Sequence, residues 1–351
     1  MMRRALVVQL GDIGDVVWSL PTLVAVKKAH PEAEVSLLVR EMVGDLLAAE
    51  DYLHRIWYVP EKKETDGWAY LLRQIKLLRD LRKEKFDLVV DLRTGDRGAV
   101  LTRMTGAPIR AGIVCEGASW LRNAMFNHLV KPVELKPRPL GAAEQSLRIV
   151  RALGIPSVAH VPTLHVSESG AREAKTLLAR LRGEEGRPFV SVNIFSRWAY
   201  KEWPLEKWGV LMKRIREEMG YHVLLVGAPN ERARAEIFSG WEGVFSAIGE
   251  TTLGTLAAVL KLSSLHVGVD SAAPIIAAAV GTPTVTIYGP SDWRDWAPVG
   301  ESHRVVCAPM DCVPCHRKGC HDRGQSPCLE AVSPDDVMKA IQELVSPLPR
   351  A

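Results

Sequence analysis

Apolar residues fall along this chain in two patterns that alternate: short continuous runs, and longer stretches at helical spacing. Ala5 to Leu10 is a run of the first kind and predicts a buried strand. Gly11-Asp12-Ile13-Gly14-Asp15 then turns it into an apolar helix carrying Val16, Val17 and Leu20. Val35 to Val39 predicts a strand, Leu71 to Leu81 a helix, Leu88 to Asp91 a strand and Ala99 to Thr105 part of a helix. Strand followed by helix, repeated, predicts a parallel sheet covered on both faces.

Prolines interrupt the pattern between Lys131 and Pro139 and again between Ile155 and Pro162, which predicts a linker near there. A second series follows. Strands are expected at Phe189 to Asn193, His222 to Val226, His266 to Val269 and Thr284 to Tyr288. Helices are expected at Leu205 to Glu218, Leu253 to Leu262 and Ala273 to Val280. Ser333 to Leu344 closes the chain as a helix, with Ser333 as N-cap and Pro334 in the first turn. The expected division is therefore 1–160 and 161–351. Two doubly wound sheets in tandem predict a central cleft, and such sheets bind ligands at the carboxyl ends of their strands.

Length and composition narrow the class. The 351 residues, 47% of them hydrophobic, are enough for two domains with cores of their own. Lys and Arg number 45 against 41 acidic residues, a net +4 too mild for a nucleic-acid binder, so no nucleic-acid partner is expected. The longest apolar tract, Ala272 to Tyr288, is broken by Pro274, Gly281 and Pro283 and reads as helix then strand. No signal peptide is recognisable, and a cytoplasmic location is expected.

Five places carry residues suited to chemistry. At Gly11 to Asp15 two glycines let a ligand approach a helix N-terminus. The two carboxylates argue against a phosphate there, leaving general-base work or simple helix capping. Ser196-Arg197-Trp198-Ala199-Tyr200-Lys201-Glu202-Trp203-Pro204 joins a strand end to a helix. Its Lys201 and Arg197 suit a diphosphate, or equally a solvated surface. Asp270-Ser271-Ala272 stands at another strand end, where Ser271 and the following amides can hold an anion or cap the helix. Cys312, Cys315, Cys320 and Cys328 are spaced as a structural zinc clip or as packed or redox-sensitive thiols. The segment from Arg93 to Arg138, including Arg97 and Arg122, is rich in arginine, which suits forked recognition of phosphate or carboxylate; ordinary solvated helix faces account for it equally well.

In order and spacing these segments resemble glycosyltransferase family 9, the ADP-heptose:lipopolysaccharide heptosyltransferases. The resemblance rests on Gly-Asp-Ile-Gly-Asp-Val with Leu20-Pro21, Lys201-Glu202-Trp203-Pro204, Asp270-Ser271, Gly281-Thr282-Pro283-Thr284-Val285 and Tyr288-Gly289-Pro290. The Cys312-Val313-Pro314-Cys315 tail points to the heptosyltransferase II branch. The resemblance implies a GT-B architecture of two Rossmann-like domains, acceptor bound by the N-terminal one and nucleotide sugar by the C-terminal one. Asp15 would be the base of an inverting transfer. Ser196, Arg197, Lys201, Asp270, Ser271 and Ala272 would hold an ADP-heptose-like donor, with no cofactor required for catalysis.

Arg93, Arg97 and Arg122 would meet the anionic lipopolysaccharide precursor, which implies peripheral contact with the inner membrane from its cytoplasmic face. The chain departs from the family at Ala272, usually Gly, and Ile275, usually His; Arg197 or His222 are the candidate replacements for the lost imidazole. Two other readings stay open: a non-catalytic binder of sugar nucleotide or glycolipid, and a GT-B enzyme using another nucleotide sugar.

Overall fold

The computed structural model describes residues 2–62, 67–115, 117, 120–131, 141–182 and 187–349. The chain forms two compact units, one of Met1–Gly44 with Glu50–Pro162, the other of Thr163–Ala351 with the short segment Asp45–Ala49. The proline-rich stretch between Lys131 and Pro139 falls almost wholly outside the described residues.

The first unit holds strands β1 (Arg4–Val8), β2 (Glu34–Arg40), β3 (Arg55–Val59), β4 (Leu88–Asp91), β5 (Ile109–Ile113) and β6 (His128–Val130). Its helices are α1 (Ile13–Ala29), α2 (Gly67–Lys83), α3 (Asp96–Met104), α4 (Trp120–Ala124) and α5 (Gly141–Ala152). The six strands are parallel in the order β3-β2-β1-β4-β5-β6. Leu6, Val8, Leu38 and Val89 on the central strands meet Leu77 and Leu81 of α2 and Leu101 of α3 in one core cluster.

In the second unit α6 (Glu168–Arg182) precedes β7 (Phe189–Asn193), α7 (Leu205–Met219), β8 (His222–Leu225), α8 (Arg232–Ala235), β9 (Val244–Ser246) and α9 (Leu253–Leu262). Then come β10 (Leu265–Val269), α10 (Ala272–Ala279), β11 (Thr284–Ile287), α11 (Trp293–Trp296), β12 (His303–Val306), α12 (Pro327–Ala331) and α13 (Pro334–Gln342). The strand order is β12-β11-β10-β7-β8-β9, again all parallel. Every residue of β7 and β10 is buried, as strands covered by helices on both faces require. The last helix is capped as its sequence predicts, with the Ser333 hydroxyl accepting from the Asp336 N–H at 3.1 Å.

The two sheets share one topology. In each, the chain runs outward from a central strand to one edge, returns beside that strand, and runs out to the other edge. The return points, β1 beside β4 and β7 beside β10, are where an open parallel sheet splits its connections and leaves a crevice at its carboxyl edge.

Candidate active site

At the first return point, Val8 ends β1 and Asp12 precedes α1, so Asp15 lies one turn into the helix. Its Oδ2 accepts the N–H of Asp12 at 2.9 Å, and its Oδ1 lies 3.1 Å from the Arg93 guanidinium. Gln9 steadies the turn, accepting from the Gly11 N–H at 3.1 Å. Gly11 is needed for space rather than for backbone freedom: a Cβ there would lie 2.3 Å from the Asp15 carboxylate. Capping and chemistry are thus not alternatives at Asp15. One carboxylate oxygen closes the helix end, while the other is paired with a half-exposed arginine.

Arg93 follows β4, whose last residue supplies a group the sequence did not advertise. Asp91 is buried, and its Oδ1 accepts the Arg93 N–H at 3.1 Å. Burial pushes its carboxyl up to about 7, against the pull of that N–H and of the Arg122 and Arg93 charges. Gly98 at the start of α3 leaves it room, since a Cβ there would stand 2.6 Å from Oδ2. Asp91 therefore fixes the main chain that carries Arg93, and Arg93 in turn meets Asp15.

The second return point gathers the other predicted segment pair. The Lys201 ammonium lies 2.6 Å from Asp270 Oδ2, and the Ser196 hydroxyl donates to the Asp270 carbonyl at 3.1 Å. Ser271 donates to Oδ1 of Asn193, the last residue of β7, at 2.5 Å. Its side chain is so engaged that it makes no cap bond to α10, and the first amides of that helix stay available to an anion. Tyr288 is buried beyond β11; burial and the neighbouring Asp270 carboxylate push its phenol well up.

Glu202 accepts from the Ser196 N–H at 3.1 Å and takes Arg234 through both its carboxylate oxygens. The Arg234 guanidinium also covers the Phe195 ring at 4.2 Å. The Lys201 loop is thereby tied to the segment after β8. There Glu231 accepts from the Ala228 N–H at 2.8 Å, and its carboxyl is raised chiefly by burial.

A sequence model for glycosyltransferase family 9 (heptosyltransferase) matches residues 74–325, nearly three quarters of the chain. The chain belongs to glycosyltransferase family 9. Lipopolysaccharide heptosyltransferase 3 of Escherichia coli is 26% identical over 298 residues, covering 81% of this chain and 84% of that protein. Among solved structures, a glycosyl transferase family 9 protein from Veillonella parvula superposes with TM-score 0.81 at 21% identity, covering 97% of both chains. E. coli ADP-heptose LPS heptosyltransferase II superposes with TM-score 0.78 at 21% identity over 97% of this chain and 98% of that one. The fold is the GT-B type expected of such a glycosyltransferase: two parallel α/β domains of six strands each.

Within this family 9 chain the remaining predicted residues part company. Arg97 is exposed and donates to the Pro60 carbonyl at 3.0 Å. Arg122 is buried instead: it donates to the carbonyls of Ile113 at 2.9 Å and Arg93 at 3.0 Å, over the Phe126 ring. Its guanidinium is thus directed at main chain that positions Arg93, not at an acceptor. Arg197 holds its charge over the exposed Trp198 ring, 5.7 Å from its centroid. Trp203 of the same motif is core, edge-on to Trp208 and donating to the Val332 carbonyl.

Ala272 opens α10 and Ile275 is buried within it. His222 begins β8, at the amino end of its strand and so at the edge opposite the site; it supplies no imidazole there. Cys312, Cys315, Cys320 and Cys328 are free thiols, and burial with the three neighbouring sulfurs raises Cys328. Among the described residues no three His, Cys, Asp or Glu side chains are grouped to hold a metal ion. No described helix is long and apolar enough to cross a membrane.

Proposed function

We propose that this glycosyltransferase moves heptose from ADP-heptose to the inner core of a lipopolysaccharide precursor with inversion at the anomeric carbon. The observation that carries the reading is Lys201, placed beside Asp270 and the uncapped N-terminus of α10 at the second return point. A cation and several aimed amides in one crevice suit a diphosphate that gains charge as it departs. No residue at that crevice has to recruit a metal in this reading. The names of the relatives supply the donor and acceptor, and the two strand-end sites supply residues for each half of the reaction.

In the proposed step an acceptor hydroxyl gives its proton to Asp15 Oδ1 as its oxygen bonds to the anomeric carbon, and the bond from that carbon to the β-phosphate oxygen breaks. ADP leaves with the bonding electrons, its new charge met by Lys201 and the α10 amides. Arg93, paired with Asp15, and the exposed Arg97 are the cations suited to the acidic groups of the acceptor. An acceptor anchored in lipid would bring the protein to the cytoplasmic face of the inner membrane.

ADP release from ADP-heptose, measured with and without a Kdo-containing lipid A acceptor, tests this reading. Acceptor-dependent release that vanishes in Asp15→Asn is expected; release that persists in the variant would remove Asp15 as the base. Ile275, apolar and buried where the family usually has histidine, favours one other reading, a different nucleotide sugar as donor. A donor panel read by thermal shift distinguishes the two, since a ligand at 100 times its Kd stabilises by about 2.7 kcal/mol.

A further inference from the structure

Helix α2 of the first unit has two unlike faces. Leu77 and Leu81 enter the core against Leu6, Trp57 and Phe86. On the opposite side Trp68, Leu71, Leu72 and Ile75 are 80%, 45%, 64% and 52% exposed. Their spacing of three, four and seven residues places them in one stripe over the first two turns. Further along the same face the stripe changes character: Lys76, Arg79, Arg82 and Lys83 are all exposed. Arg79 lies 3.7 Å from Asp80, the helix's one acidic residue. Five basic residues against one acidic give α2 a charge of +4, which equals that of the entire chain, so the remaining sequence is neutral in sum.

Four large apolar side chains in one exposed stripe are unfavourable in water, and they are not scattered as single surface apolar residues are. The charges select what covers them. A second copy packed antiparallel would set each basic end against the apolar half of the other helix; packed parallel, it would set the basic ends against each other. The surface of an anionic bilayer meets both halves at once, because its hydrocarbon boundary lies directly beneath a layer of phosphates.

We infer that this face of α2 docks on a bilayer containing anionic lipids. Trp68, Leu71, Leu72 and Ile75 enter the boundary between headgroups and acyl chains, and Lys76, Arg79, Arg82 and Lys83 pair with lipid phosphates. The inference deepens the proposed use of a lipid-anchored acceptor and rests on that reading for its purpose, though not for its test.

Flotation of the full chain with vesicles of phosphatidylglycerol and phosphatidylethanolamine is the test, alongside vesicles of phosphatidylcholine alone. Leu72→Gln with Ile75→Gln, and Arg79→Glu with Arg82→Glu, change exposed positions and leave the core side of α2 intact. The unaltered chain is expected to float with the anionic vesicles, less so at raised salt, and each double variant to lose about tenfold or more of that partition. Transfer to a delipidated, water-soluble acceptor should stay unchanged in both variants. That measurement separates failure of this inference from failure of the transferase reading. Equal flotation of parent and variants, or none by the parent, would overturn the proposal. So would a dimer in sedimentation that the Leu72 and Ile75 changes dissociate while vesicle binding persists.

Discussion

Replacing Asp91 by Asn should make this protein more stable at neutral pH while changing little in acid. The native carboxyl titrates at about 7 because burial penalises its charge, against the ordinary carboxylate value of 3.8 in the unfolded chain. Between those two values the folded state holds a proton that the unfolded state has released, so the stability contributed by this group is complete below about pH 4. It is lost as pH rises towards about 7 and does not change further above that. A shift of about three pH units corresponds to about 4 kcal/mol at 1.36 kcal/mol per unit, an upper bound once water reaches the ionised form. Asparagine cannot ionise, yet its amide oxygen can still accept the Arg93 N–H that Asp91 Oδ1 accepts at 3.1 Å. Urea unfolding of parent and variant at pH 4.5, 6 and 8 measures the effect, with those values standing at roughly the bottom, middle and top of the window. The variant's advantage should grow with pH by up to about 4 kcal/mol. An advantage that stays flat from acid to alkali would show that Asp91 is held ionised throughout by Arg93 and Arg122, and that the argument from burial fails.

Other substitutions probe the frame around the two sites. Gly11→Ala would set a Cβ 2.3 Å from the Asp15 carboxylate, so transfer should fall by about tenfold or more while the melting temperature moves by only a few degrees. Tyr288→Phe removes the buried phenol beside the Asp270 carboxylate and should cost about 1 kcal/mol or more in urea unfolding. Trp203→Ala empties a fully buried site beside Trp208 and strips the Val332 carbonyl of a donor; about 3–5 kcal/mol should be lost, with catalysis per folded molecule largely kept.

Central strands were legible because apolar residues dominate them: Leu88–Asp91 and Phe189–Asn193 form where the sequence places them. The strands it conceals lie towards the edges of their sheets. β6 and β9 are three residues each, β3 is buried only at alternate positions towards its end, and β5 reads Ile-Arg-Ala-Gly-Ile. Such segments gain their pairing from a neighbour already in place, and their composition resembles a loop. The same division runs through the site. Asp15, Ser196, Lys201, Asp270 and Ser271 are visible as polar residues just past apolar runs, where strand ends meet helices. Asp91 and Tyr288 look like ordinary strand-end residues, and only the pairing of β1 with β4 and of β10 with β11 brings them to Asp15's partner and to Asp270. Arg93 and Arg122 are alike in sequence, yet one reaches Asp15 and the other is buried against main-chain carbonyls, a difference set by the turn after β4 and the packing of α4.

One topology used twice does not make the two strand-end sites equivalent, because their charges differ in kind. At the first, a carboxylate stands at the mouth of α1 and repels a phosphate, with Arg93 as its counter-ion. At the second, Lys201 stands over an α10 N-terminus that no side chain caps, and Asp270 is balanced by Lys201, with the Tyr288 phenol beside it. On the proposed reading an anionic leaving group is assigned to the second, and proton abstraction to the first. Affinity for ADP and turnover should then separate under mutation. Asp15→Asn should keep the thermal stabilisation that saturating ADP gives the parent while losing transfer, and Lys201→Met should lose most of that stabilisation along with transfer. Removing the ammonium also leaves Asp270 facing the diphosphate without its cation, so Lys201→Met with Asp270→Asn should bind ADP better than Lys201→Met alone. If Asp15→Asn instead abolished the ADP shift, the carboxylate would be serving nucleotide binding, and the division of roles between the two strand ends would be wrong.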